Sequence, residues 1–195
     1  MNLTHVMIDL ETLGTGPNAA IASIGAVLFD PDAGLIGELV TEIFYRTIDL
    51  DNSNRPGNIT PSTVLWWLQQ GEEARKELVE GGPRRRLGSA LFEFEEWLKS
   101  KGVDAYKGTF WAKDPDFDLV ILANAYRRYN LKAPWSFRRA RSMRTMLMLN
   151  NKFDLIGDYT DRGPEPVHHD SLDDAIYQAK GVIEIMQALK QRIGS

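Results

Sequence analysis

The sequence predicts an α/β domain in which helices pack on a mixed sheet. Three observations predict it. Strand-like apolar segments fill the first fifty residues, helical spacing governs most of the rest, and one short apolar run, Gly108 to Ala112, returns to strand among the helices. With 195 residues, 43% hydrophobic and 26% charged, the chain has globular composition, and residues 1–195 read as a single domain.

The first strand covers residues 5 to 11. Val6, Ile8 and Leu10 share one face, and Met7, Asp9 and Glu11 share the other, because successive side chains alternate. A turn from Leu13 to Pro17 follows. Ala20 to Asp30 and Leu39 to Ile48 read as two more strands, joined through Asp30-Pro31-Asp32-Ala33-Gly34 into an antiparallel meander. Thr60-Pro61 opens a helix carrying Trp66 and Trp67, in the order of cap then first-turn proline. Gly81-Gly82-Pro83 breaks the chain before a helix from Leu87 to Lys101, where Leu91, Phe94, Trp97 and Leu98 recur at helical spacing. After the Gly108 to Ala112 strand, Asp114-Pro115 caps a helix that runs to about Tyr129. Pro134 to Asn150 is helical in its later part, and 151–167 is loop-like. The last helix starts near an Asp170 cap and carries an apolar stripe from Leu172 to Leu189.

Composition narrows the chemistry. Zero cysteines exclude disulfides, thiolate zinc sites and cysteine nucleophiles, which leaves carboxylates and three histidines. No apolar run approaches the roughly 18 residues that cross a bilayer, and acids interrupt the first twelve residues, so a cytoplasmic protein without a membrane partner is expected. A net charge of -4 argues against coating long nucleic acid. Arginines grouped at 84–86, 127–128 and 138–144 either guide short strands or form solvated faces.

The acids carry the sharper signal. Asp9 and Glu11, two apart on one strand face, stand within about 7 Å and repel when both are ionised, a cost that a hard divalent cation removes. Such pairs also occur on solvent-facing strands, but the apolar flanks of this one mark a central strand. Asp118 sits beside Phe117, Ile121 and Leu122, which face the core. On the last helix Asp173 shares the polar face of Tyr177, Lys180 and Glu184, whereas Asp174 aligns with Gln178, Gly181 and Ile185 beside the apolar stripe. Asp174 is therefore the better site residue.

Asp9-Leu10-Glu11-Thr12, Phe117-Asp118 and the five-residue step from His169 to Asp174 resemble the motifs of the DEDDh 3′-to-5′ exonucleases, which have the ribonuclease H-like fold. His168 and Asp173 repeat that step, and Leu172 and Ala175 favour the His169 register. Within the superfamily, Leu65-Trp66-Trp67, Glu73-Ala74-Arg75-Lys76, the run from Phe117 to Leu122, Arg141-Ser142-Met143-Arg144-Thr145 and His169-Asp170-Ser171-Leu172 resemble the phage exodeoxyribonuclease A and bacterial ribonuclease AS (Rv2179c-like) group.

The resemblance implies a mixed sheet with three antiparallel N-terminal strands and flanking helices. It implies two Mg²⁺ or Mn²⁺ ions held by Asp9, Glu11, Asp118 and Asp174, with His169 as general base and nucleoside 5′-monophosphates as products. Thr12, Leu13 and Phe117 are expected to meet the terminal nucleotide. Trp66 is a candidate to stack on a base, although at least one of Trp66 and Trp67 should be core. Arg141 and Arg144, three apart on a helix, either share phosphate contact or form surface ion pairs. The implied partner is the 3′ end of single-stranded DNA or RNA, with DNA slightly favoured, and a homodimer is among the states the resemblance allows. A ribonuclease H-like endonuclease and a catalytically silent nucleic-acid-binding module are the alternatives.

Overall fold

Strand β1 (His5–Thr12) runs between β2 (Ile21–Asp30) and β5 (Thr109–Ala112) in a six-stranded sheet. In the computed structural model, residues 3–37, 40–53, 55, 57–80, 83–159 and 170–194 are described. His169 lies outside them, as do His168, Leu39, Gly81, Gly82 and residues 160–167 of the expected loop.

β2 pairs antiparallel with β1 from His5↔Phe29 to Thr12↔Ile21, with an irregularity between Glu11 and Thr12. β5 joins the opposite side of β1 in parallel, and β6 (Ala140–Ser142) pairs parallel with β5 at the edge. On the far side of β2 the expected Leu39 to Ile48 strand is shortened to its later part, and a separate two-residue strand precedes it. β3 (Leu35–Ile36) pairs with Phe29 and Asp30, a 3-10 turn spans Val40–Glu42, and β4 (Ile43–Thr47) pairs with Ser23 to Val27. The sheet is mixed, as the sequence predicts.

Other boundaries also shift. The Trp66-Trp67 helix ends early: α1 (Pro61–Gln69) stops before Gly71, and α2 (Glu72–Glu80) starts anew with two glutamates in its first turn, where they complement the helix dipole. α3 (Leu87–Ser100) matches expectation. Asp114 does not cap a helix with its side chain. Its carbonyl closes a turn by accepting from Phe117 N and Asp118 N, and α4 (Asp118–Arg128) begins only after that turn. The later part of the 134–150 segment is helical as expected, in α5 (Met143–Phe153), which runs three residues into the expected loop and is preceded by β6. The last helix, α6 (Ser171–Gly194), is capped by Asp170, whose Oδ1 accepts from Leu172 N and Asp173 N at 2.9 and 3.0 Å.

Alternation along β1 sorts the core into two layers. Val6, Ile8 and Leu10 pack with Leu91 and Phe94 of α3 and Leu122 and Tyr126 of α4. Met7 packs on the other face with Val27, Met143 of α5, and Ala175, Ala179 and Val182 of α6. Each large apolar side chain so buried contributes about 1.5–3 kcal/mol. Asp9 and Glu11 follow Met7 on the same face, so the fold turns both toward α6.

Candidate active site

Oxygen atoms of Asp9, Glu11 and Asp174 lie within 4.8 Å of one another, at the end of β1 and the first turn of α6. A close approach of α6 to the sheet makes this meeting possible. Gly25, the partner of Asp9 across β2, leaves so little room that a Cβ there would stand 2.1 Å from the backbone of Ser171. Ser171 Oγ and Ser23 Oγ share a hydrogen bond at 2.9 Å, which fixes the same contact. Asp174, one turn further on, then reaches over β1.

Asp118 arrives from the opposite layer. Pairing of β1 with β5 ends at Met7↔Trp111, so β5 offers no partner beyond that point. Asp118 Oδ1 fills the gap by accepting from Leu10 N at 3.2 Å. Its carboxylate is held against β1 between Asp9 and Glu11 in sequence, and its charge acts on both of them.

Sequence reasoning did not single out Gln178. Its Nε2 donates to Asp9 Oδ1 at 2.7 Å, and the side chain is 5% exposed. The signal was its position four residues after Asp174, which places both side chains on one face of α6.

Burial and mutual repulsion dominate the electrostatics. Glu11 is pushed up to about 9, first by burial and then by Asp174, Asp118 and Asp170. Asp9 is held well above the usual carboxylate range by burial, then Asp118, Glu11 and Asp174, against the opposing hydrogen bond from Gln178. Asp118 rises to about 7 through burial, opposed chiefly by the Leu10 N–H. Carboxylates this crowded keep protons unless a cation replaces them. The oxygen-only donor set fits a hard divalent ion such as Mg²⁺ or Mn²⁺.

Beside the acids opens a cavity of about 420 Å³, lined by Leu10, Glu11, Thr12, Thr15, Trp66 and Phe117 among others. Trp66 is 42% exposed and forms part of its wall. Trp67 is buried and donates Nε1 to Thr12 O at 2.9 Å, fixing the backbone just after Glu11. Leu13 packs with Trp67, Ala20 and Ala74 behind the wall, and its carbonyl accepts from Thr60 N. Arg141 and Arg144 do not share a helix. Arg141 stands exposed on β6, and Arg144 opens α5 and forms an ion pair with Asp114. The parallel pairing of β6 with β5 separates them.

The 3′-5′ exoribonuclease Rv2179c-like domain matches residues 4–186. The chain belongs to this family. It is a 3′-to-5′ exonuclease domain. The exodeoxyribonuclease of Enterobacteria phage T4 is 26% identical over 212 residues, covering 96% of this exonuclease and 90% of the phage protein.

Solved structures share the fold at lower identity. The nuclease domain of 3′hExo, a DEDDh family member bound to rAMP, has a TM-score of 0.60 and 16% identity, covering 94% of this chain and 91% of that one. The RNase domain of the yeast Pop2 protein has a TM-score of 0.56 and 14% identity, covering 98% and 78%. Cell-death related nuclease 4 has a TM-score of 0.61 and 18% identity, covering 97% of this exonuclease, which spans 63% of that longer chain. Among the described residues, no helix is long and apolar enough to cross a membrane.

Proposed function

We propose that residues 1–195 form one metal-dependent exonuclease domain that removes nucleoside 5′-monophosphates from the 3′ end of single-stranded nucleic acid. The observation that carries the proposal is the convergence of Asp9, Glu11 and Asp174 oxygens within 4.8 Å beside a cavity wide enough for a nucleotide. Asp9, Glu11, Asp118 and Asp174 hold two Mg²⁺ or Mn²⁺ ions, which supply activation of water and stabilisation of the leaving 3′ oxygen. His169 takes the proton of the attacking water, the general-base role that an imidazole most often fills.

Within the cavity, Thr12 and Phe117 meet the terminal nucleotide and Trp66 offers its ring to the base. Leu13 acts from behind the cavity wall, where it packs on Trp67. Of DNA and RNA, DNA is slightly favoured as the substrate. Likeness to a phage exodeoxyribonuclease supports the first, and membership of a family described as exoribonuclease supports the second.

Single strands of DNA and RNA labelled at the 5′ end, incubated with Mg²⁺ or Mn²⁺, test the reading. A ladder of progressively shorter labelled strands with mononucleotide product is expected, and internal cuts would overturn it. Asp9→Asn should lower kcat by about a thousandfold, the equivalent of several kcal/mol of lost charge stabilisation, while the variant stays folded.

A further inference from the structure

A second cavity, of about 520 Å³, lies at the other end of α4 from Asp118, and nothing in the hydrolytic site uses it. Arg127 and Lys132 stand exposed on its rim, Ala123, Leu131 and Trp135 give it an apolar floor, and Tyr106 flanks it with 79% of its surface open.

Its charge is out of keeping with the chain. None of the 27 acidic residues falls between Asp118 and Asp154, whereas eight of the 23 lysines and arginines do, in a protein of net charge -4. The C-terminal carbonyls of α4 account for Arg127 and Arg128. They do not account for Lys132, Arg138 or Arg139. Among the described residues, no carboxylate pairs with Arg127, Lys132, Arg138 or Arg139. Asp104, the acid nearest to Tyr106 in sequence, is occupied by Tyr106 N and Lys107 N, both at 2.8 Å. Just past the cavity, Phe137 is 79% exposed with the Arg138 guanidinium 5.2 Å over its ring. Unneutralised cations interleaved with open aromatic rings are what a single strand recognises, through phosphates and base faces respectively.

α4 joins this cavity to the hydrolytic one. Phe117 at its N-terminus lines the first, and Val120, Ala123 and Arg127 follow at steps of three and four that keep them on one helical face. The eleven residues of α4 span about 16 Å, the length of about five stacked nucleotides.

We propose that this cavity is a second nucleic-acid site, with Arg127 and Lys132 on phosphates and Tyr106 against a base, which grips the substrate strand about five nucleotides upstream of its 3′ end. The proposal rests on the exonuclease reading and deepens it.

The test compares the protein with Arg127→Gln/Lys132→Gln and with Tyr106→Ser on single strands of about three and about twelve nucleotides. Turnover is measured with Mg²⁺, and binding separately in EDTA. Turnover of the short strand should be unchanged in both variants. For the long strand, the slope of log affinity against log salt should fall by about 1.4 in the charge variant. Tyr106→Ser should weaken its binding about fivefold or more. Unaltered long-strand binding and salt slope would overturn the proposal, as would equal losses on both strands. Displacement of the long strand by polyglutamate, with Tyr106→Ser indistinguishable from the parent, would assign the surface to an acidic protein and also overturn it. Failure to cleave either strand would count against the exonuclease reading alone, because binding in EDTA needs no turnover.

Discussion

The amide of Gln178 donates to Asp9 Oδ1 at 2.7 Å, tying the last helix to the central strand in the middle of the acidic cluster. The amide oxygen at the other end is buried and meets no hydrogen-bond partner among the described residues. Leaving such an acceptor unmet costs about 1–3 kcal/mol, so the donor end must justify the residue. That donor holds Asp9, the role expected of a group behind the metal ligand proposed above.

Gln178→Met, which keeps the volume and removes the donor, should weaken Mn²⁺ binding by about 10–100-fold in calorimetric titration. The chelated variant should melt close to the parent. Unchanged Mn²⁺ affinity would show that the bond only packs α6.

Proton linkage gives a second expectation. Glu11 rises from its ordinary 4.5 to about 9 and Asp118 from 3.8 to about 7, so the folded chain holds protons that the unfolded chain releases. Stability from these groups is complete below their ordinary values. It is lost as pH rises through about 7 for Asp118 and about 9 for Glu11. In EDTA the unfolding midpoint should therefore fall between about pH 5 and pH 9. Added Mg²⁺ should raise it more at about pH 8.5 than at about pH 6, where protons already occupy the site. A midpoint shift independent of pH would contradict the crowding of these acids.

Much of this site was legible because it follows from periodicity. Alternation places Asp9 and Glu11 on one face of β1, and helical spacing separates Asp174 from Asp173 on α6. What was not legible depends on partners distant in sequence. β6 is three residues, Ala140 to Ser142, and no alternation in so short a segment announces a strand; it exists because β5 presents an open edge. Arg141 and Arg144 were consequently read onto one helix. Asp118 owes its place to the point where β5 leaves β1, which local pattern does not encode. Trp66 and Trp67 look alike in sequence, and only the Thr12 carbonyl decides which turns inward.

That pair supplies a third expectation. Trp66→Ala should raise KM with little change in melting, since the ring is 42% exposed on the cavity wall. Trp67→Ala removes a buried ring together with its bond to Thr12 and should cost about 3–5 kcal/mol in denaturant unfolding. Equal melting of the two variants would refute the division of roles.

Gly25→Ala tests how α6 is seated. A methyl group 2.1 Å from the Ser171 backbone forces strand and helix apart, costing about 1–3 kcal/mol and carrying Asp174 away from Asp9. Loss of both stability and Mn²⁺ affinity is expected. Gly16→Ala, with nothing within 4 Å of the new carbon, should change stability by no more than about 0.5 kcal/mol. A Gly25→Ala variant that binds Mn²⁺ like the parent would separate the contact from the site.

The seating of α6 also bears on when during synthesis the proposed site could first assemble. The bond between Asp9 and Gln178 spans 169 positions, and Asp174 lies almost as far from Glu11. A nascent chain that has not yet released residues 171–178 from the ribosome has three of the four acids and no means of gathering the fourth. With the site proposed above, hydrolysis would stay disarmed throughout synthesis and in any fragment cut short of that helix, and would be armed only when the late-emerging segment docks on the strand made first.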